Sequence, residues 1–517
     1  MLRAGSPSME PVTRFGFVID QRSCIGCHAC TVACKEEHGV ELGVFRTWVK
    51  YIEQGEFPDT RRFFSVLRCN HCEDAPCVKA CPVTALFKRE DGIVDFDPQR
   101  CIGCKACLNA CPYDALYIDP KSHTAAKCNF CAHRVDVGLK PSCEVVCPTD
   151  AILSGDLEDP DSEITRLIDT EATHVRAPEQ GTGPSVFYIG AQEASLNPTI
   201  VSGGDAFLTT EVPPTQAEKL APLAPTATAR VMSDIAHPPP WGWRVSSYFL
   251  SKGIAAGAML LAVLMLVIGS RGSSLADVVP SALALVGIAV TGIFLVSDLK
   301  QPLRFHYLFT RPQWRSWLAI GSQLINLAAI VATAFLVASI VGADGVRDAL
   351  RWPMVPAGIM LAAYTAFLFN QCEGRDLWQS PLLLPHTIVN ALIAGAGSLG
   401  IASLFAHAPT GDVRALGWTL VLGIAASATI IALDLFGLTH PTRQAEIAAR
   451  NLWRDRFAKR FWVGGVLTGL CIPVLFGVAY LAVGGRGLLA AGGGLALVGL
   501  WFYEDAWVRA GQSVPLS

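Results

Sequence analysis

The pattern of apolar and polar positions changes near residue 243. Before that point the readable periodicity is short: GIVDFDPQRC and ALYIDPKSHTAAKC alternate apolar and polar residues around Asp-Pro turns, which predicts short hairpin strands. Beyond it come eight apolar segments, at about residues 247–270, 278–297, 317–341, 355–372, 386–407, 415–437, 461–483 and 487–503. Each is near the length that crosses a hydrocarbon core of about 30 Å. A soluble helical bundle would carry a polar face on most of its helices; these segments carry none, so they predict membrane spans. Gly and Ala recur along them in GIAAGA, ALIAGAG and AAGGG, which suits close helix packing in lipid. Between the two regions, residues 193–242 are rich in Pro, Ala and Thr without periodicity and read as an extended connector.

Composition sharpens this division. The chain has 517 residues, 51% hydrophobic and 16% charged, which excludes a small soluble single domain. Its net charge of −3 conceals two opposite halves. Residues 1–242 carry 22 Lys/Arg against 32 Asp/Glu, and residues 243–517 carry 19 against 12. Of 18 cysteines, 16 fall between Cys24 and Cys147, while Cys372 and Cys471 stand alone in apolar stretches and read as small packing residues. The opening MLRAGSPSMEPVTRFGF has no apolar run of signal-peptide length, so a reducing compartment is expected, where dense cysteines bind metal in preference to forming disulfides.

The spacing of those cysteines specifies the metal chemistry. Cys24, Cys27, Cys30 and Cys34 follow C-x2-C-x2-C-x3-C, and Cys101, Cys104, Cys107 and Cys111 repeat it. Cys69, Cys72, Cys77 and Cys81 follow C-x2-C-x4-C-x3-C; Cys128, Cys131, Cys143 and Cys147 follow C-x2-C-x11-C-x3-C. Three thiolates within seven residues wrap three corners of one cube, and the fourth, often stopped by Pro, ligates a different cluster. Sixteen thiolates in four groups predict four 4Fe-4S clusters. Zinc uses separated C-x2-C pairs, and disulfides between cysteines three apart are strained. Helical turns are expected after each Cys-Pro.

FVIDQRSCIGCHACTVACK, RCNHCEDAPCVKACP, RCIGCKACLNACP and KCNFCAHRVDVGLKPSCEVVCPTDAI together resemble the four-cluster ferredoxin-like subunit of molybdopterin oxidoreductase complexes, as in dimethylsulfoxide, polysulfide and nitrate reductases. The resemblance spans about residues 14–190. It implies that the first motif pairs with the fourth and the second with the third. The implied clusters are held by Cys24, Cys27, Cys30 and Cys147; by Cys34, Cys128, Cys131 and Cys143; by Cys69, Cys72, Cys77 and Cys111; and by Cys81, Cys101, Cys104 and Cys107.

The apolar half resembles the NrfD/polysulfide reductase membrane subunit, a quinone-binding anchor without haem. GIAAGA, SDLKQPLRFHYLFTRPQWRSW, YTAFLFNQCEGRDLWQSP and RAGQSVPLS carry the resemblance over about residues 241–517. It implies quinone contact by Tyr364 and by Tyr248, which stands where that family has His. Asp298, Arg375, Glu373 and His386, at span ends, are candidates for the quinone site or a proton relay, because ionisable groups in spans are costly and functional by default. Asp434 and Lys252 lie deeper, with Lys252 able to snorkel. His306, His386, His407 and His440 sit at loop edges, so no haem is expected.

The expected architecture is an α+β ferredoxin-like iron–sulfur domain (1–192), a Pro-rich linker (193–242) and an all-α polytopic membrane domain of about eight helices (243–517). The expected function is electron transfer between a separate molybdopterin catalytic subunit and a quinone, menaquinone or ubiquinone, in a respiratory complex that can form higher oligomers. Membrane lipids are the other partner, and no nucleic acid is expected. Eight spans return both ends to one side, whose loops carry 13 Lys/Arg against five opposite. The positive-inside rule then puts the clusters on the cytoplasmic face. Two alternatives are a redox-linked proton-translocating subunit of an alternative complex III-like assembly and a membrane tether serving soluble electron carriers.

Overall fold

The computed structural model describes residues 13–202, 229–268, 272–437 and 440–517, and the centre of the 193–242 connector lies outside them. The chain divides into two compact units at Pro238/Pro239, with Pro515–Ser517 grouped in the first.

The first unit is an α+β body. Strand Phe15–Asp20 is central to a four-stranded sheet, parallel to Val186–Ile189 and antiparallel to Ile152–Asp156, with Thr173–His174 at the edge. Its FGFVID run is buried on both faces, as a continuous apolar strand must be. The two-residue period divides its side chains. Phe17 and Ile19 pack toward Cys30, Phe130 and Cys143, whereas Val18 packs toward Ile164 of helix Glu163–Thr170.

The second sheet is built on the long hairpin Thr47–Glu56/Asp59–Arg68. The connector contributes to it: Ala229–Ser233 pairs antiparallel with Thr47–Glu56, and Val201–Ser202 pairs with Ala229–Ser233. A segment without periodicity thus finds strand partners in the first unit, burying Val201, Ala229 and Val231 around Ile52. Both alternating segments form their hairpins, Leu86–Lys88/Val94–Phe96 and Leu116–Ile118/Ala125–Lys127. The short helices precede the Cys-Pro pairs and do not follow them. Pro76–Ala80 and Ala106–Ala110 end on Cys81 and Cys111, because the proline next in sequence disfavours helical geometry in the residue before it.

The second unit has eight helices long and apolar enough to cross a membrane: Trp243–Val267, Ser274–Asp298, Trp317–Val341, Asp344–Asn370, Leu383–Ala402, Thr410–Gly437, Arg460–Val483 and Arg486–Gly511. The fourth begins well before residue 355, running through Pro353 and Pro356, and the eighth continues well past residue 503. The small residues lie where helices cross. A Cβ on Gly257 of GIAAGA would meet the Ala391 carbonyl oxygen at 1.8 Å, and Gly395 lies against Gly257 in return. Gly397 and Gly493 form a second such crossing. Cys372 is buried, as a packing residue would be, but Cys471 lies exposed on the helix surface and fills no core.

Candidate functional site

The cysteine loops of the first and third motifs have the same backbone shape. Gly26 and Gly103 adopt φ of +70° and +68°, and His28 and Lys105, each following the second cysteine, adopt 61° and 65°. Left-handed residues at matched positions curl both C-x2-C-x2-C loops around one point, and glycine takes that conformation at least cost. Helices starting at Ala29 and Ala106 then carry Cys30 and Cys107.

Burial pushes the Cys72 thiol up to about 12, and its neighbours Cys69 and Cys111 push it the same way. Cys77 is raised well above the usual thiol range by burial, then by Cys111, Cys69 and Cys72. Cys34 is raised by burial, then by Cys128, Cys143 and Cys131. Cys104 is raised by burial and by Cys81 and Cys101; Cys24 by burial, Cys147 and Cys27. Cys30 is pushed to about 12 by burial, with Cys143 and Cys24 adding to it and Arg68 opposing it. The structure therefore brings together thiols from motifs far apart in the chain. Crowded, buried thiols of this kind ionise only against a strong positive charge, which iron provides. Among the described residues no three His, Cys, Asp or Glu converge tightly enough for a single ion. A cavity of about 20 Å³ is lined by Cys81, Cys101, Cys104 and Cys107 together.

Backbone amides also point at sulfur. Ala85 donates to Cys81 Sγ at 3.1 Å, Ala151 to Cys147 Sγ at 3.2 Å, and Gly103 and Ala125 to Cys101 Sγ at 3.4 Å. Arg68, fully buried, donates to Cys143 Sγ at 3.1 Å and stacks 4.4 Å from the Phe17 ring, with Nε and Nη2 left unpartnered. Among the described residues the charged groups acting on it are the thiols of Cys143, Cys128 and Cys30, with no carboxylate. A buried guanidinium without a counter-ion is costly, and an anionic sulfur-ligated group beside Cys143 would balance it. His38 Nε2 lies 3.2 Å from Cys131 Sγ. The donor set, the cavity and the uncompensated arginine fit iron–sulfur clusters.

In the apolar half, Tyr248 and Tyr364 are 2% and 3% exposed, with both hydroxyls lacking a partner. Lys252 stands beside Tyr364. It does not snorkel: it is 2% exposed, donates to the Ala362 carbonyl at 2.9 Å and to the Thr365 hydroxyl, and sits 5.0 Å from the Tyr364 ring. His386, buried beside the same cavity as Lys252, lies 3.1 Å from Ser427, which donates to Asn390. Arg375 is buried and donates to the Val514 carbonyl at 3.1 Å, while Asp298 and Glu373 are part-buried at the ends of the second and fourth spans. Asp434 is also at a helix end, bound by Ser380. Sequence reasoning missed Arg68, which nothing but its place before Cys69 distinguishes. It also missed Glu504 and Asp505, which continuing the eighth span's helical period to Gly511 would have found.

Comparison with known proteins places two families on these two units. Residues 60–157 match the 4Fe-4S dicluster domain, and residues 232–514 match "Polysulphide reductase, NrfD". The cysteine-rich half is similar to one subunit of the tetrathionate reductase of Salmonella typhimurium, 45% identical over 194 residues, covering 37% of this protein and 77% of that one. It is also similar to one polypeptide of the polysulfide reductase of Wolinella succinogenes, 39% identical over 179 residues, covering 34% of this protein and 94% of that one. The arsenate respiratory reductase iron–sulfur subunit of a Shewanella species is 36% identical over 227 residues, with 34% of this protein and 96% of that one covered.

Proposed function

This protein belongs to the polysulphide reductase NrfD family, and from that premise we propose that it passes electrons between a separate molybdopterin-containing catalytic subunit and the membrane quinone pool. It is an iron–sulfur subunit fused to an NrfD-type membrane anchor. The observation that carries the reading is the presence, in one polypeptide, of sixteen clustered cysteines and a multi-pass unit with two buried, unpartnered tyrosine hydroxyls.

Four 4Fe-4S clusters, when bound, supply sites that each accept and release one electron. Their proposed ligands are Cys24, Cys27, Cys30 and Cys147; Cys34, Cys128, Cys131 and Cys143; Cys69, Cys72, Cys77 and Cys111; and Cys81, Cys101, Cys104 and Cys107. Amides of Gly103, Ala85, Ala125 and Ala151 hold sulfur charge in place, and Arg68 and His38 add polar donors beside Cys143 and Cys131. Tyr248 and Tyr364 offer hydroxyls to a quinone carbonyl, because a buried phenol without a partner gains most from one. Asp298, Glu373, Arg375 and His386 are proposed in supporting or proton-relay roles. The Lys/Arg excess of the loops that share a side with the cluster domain supports its cytoplasmic placement.

The test uses the anaerobically purified full-length protein and a soluble quinol analogue, following cluster reduction optically. Tyr364→Phe and Asp298→Asn should slow quinol-driven reduction by about tenfold or more. Full rates in both variants would refute this quinone site and favour the tether. Molybdenum in the co-purified partner tests the partner assignment, and labelling of linker residues from outside intact cells would refute the cytoplasmic face.

A further inference from the structure

The second unit contains a cavity of about 30 Å³ among the first, fifth and eighth spans, lined by Lys252, His386, Asn390, Tyr503 and Glu504 among others. That volume holds roughly two water molecules, for which Lys252, His386, Asn390 and Glu504 supply polar partners in a largely apolar wall. Glu504 is 7% exposed, and its Oε2 has no hydrogen-bond partner. Lys252 spends two of its three N–H donors on the Ala362 carbonyl and Thr365, leaving one free. The two groups form no direct ion pair, yet each is the charge that acts on the other.

An ionised carboxylate and an ammonium in an apolar interior each cost several kcal/mol alone. Here the cost is shared. With both ionised, or with the proton moved from Lys252 to Glu504 so that both are neutral, the net charge of the cavity is the same. Both groups line the same water-sized gap. Two further contacts tie this pair to the tyrosine site: Lys252 Nζ lies 5.0 Å from the Tyr364 ring and bonds the residue next to it. The nearby His386 points its Nε2 to Ser427 and so belongs to a separate hydrogen-bonded series ending at Asn390.

We propose that Lys252 and Glu504, with water between them, form the proton-exchange site of the quinone reaction, a role that rests on the quinone reading above. In quinol oxidation the ionised pair first becomes neutral as Lys252 passes its proton through the cavity water to the Glu504 carboxylate. One quinol O–H bond then breaks, its proton forms an N–H bond on neutral Lys252, one electron leaves to the iron–sulfur clusters, and Glu504 gives its proton to water, which restores the ionised pair. The second O–H bond and the second electron follow by the same cycle, leaving the quinone. Quinone reduction runs the same transfers in reverse.

The experiment uses the cluster-loaded full-length protein in lipid nanodiscs with a ubiquinol analogue. A redox-induced infrared difference spectrum should show a deuterium-sensitive carboxylic acid band, and Glu504→Gln should abolish it. Stopped-flow reduction of the clusters should slow by about tenfold or more in Glu504→Gln and in Lys252→Met, with Glu504→Asp restoring much of the rate. Binding of the quinone analogue, followed by tryptophan quenching, should stay unchanged in Glu504→Gln, which does not touch the quinone. A band that survives Glu504→Gln, or a rate in that variant equal to the parent, overturns the proposal while leaving the quinone site standing. Failure of the parent protein to bind the quinone analogue overturns the quinone reading itself, and this proposal falls with it. If Glu504→Gln does not fold, Glu504→Asp takes its place: it should shift the band, and an unshifted band overturns the proposal.

Discussion

Two buried charges, one in each unit, are neutralised by different means. In the first, the fully buried Arg68 donates to Cys143 Sγ and stacks on Phe17, beside thiols proposed to hold a cluster. In the second, the equally buried Asp505 is closed within the helices, taking Arg509 Nε at 2.9 Å, Arg460 and the Ser246 hydroxyl. Arg68 in the first unit is thus matched by sulfur, whereas Asp505 in the second is matched by arginines of its own helices.

The largest expected effect follows directly. Expression without iron, or chelation under denaturing stress, should abolish cooperative unfolding of residues 13–238, since ligand binding is folding free energy in such units. The helices of the second unit should survive. Limited proteolysis and circular dichroism would read both, and a first unit equally protected without iron would break the contrast. Next, Arg68→Leu should destabilise the loaded first unit by about 3–5 kcal/mol, the scale for removing one partner of a buried charge pair. It should also lower the reduction potential of one cluster, read by electron paramagnetic resonance during redox titration, because fewer donors stabilise the reduced charge. An unchanged potential would separate Arg68 from the cluster.

The second unit should break by packing instead. Gly257→Ala places a Cβ 1.8 Å from a backbone oxygen that cannot yield, and should cost about 1–3 kcal/mol in thermal unfolding in detergent. Gly411→Ala, with nothing near the added atom, is the neutral control. The smallest effect belongs to solvated pairs. Arg22 holds the Asp20 carboxyl below the usual carboxylate range, mainly by hydrogen bonding. Its contribution is therefore present above the unfolded value near pH 4 and is lost as pH falls through the lower folded value. Asp20→Asn should cost about 1 kcal/mol or less at neutral pH, and the gap from the parent should shrink in acid.

Much of this architecture was legible in local spacing. The cysteine intervals, the two Asp-Pro hairpins and the eight apolar runs are features of neighbouring residues, and each appears in the structure where its pattern lies. The departures have a common cause. The helical turns expected after Cys-Pro come before it, because Pro restricts the residue that precedes it. The apolar run of the eighth span stops at the first carboxylates, Glu504 and Asp505, although Asp505 continues the helix by pairing with Arg509 one turn on. The connector gained strands because an exposed sheet edge far away in sequence offered unpaired amides and carbonyls.

What the sequence determined by itself is the kind of chemistry and the kind of solvent: sulfur ligands at cluster spacing, and apolar runs long enough for lipid. These depend on residue type and period alone. What only the tertiary structure decided is which buried charge meets which partner. Arg68 finds Cys143 across 75 positions, and Lys252 finds Thr365 across 113. Such pairings are set by how distant elements pack, because a charge removed from water is stabilised by whatever stands next to it in space.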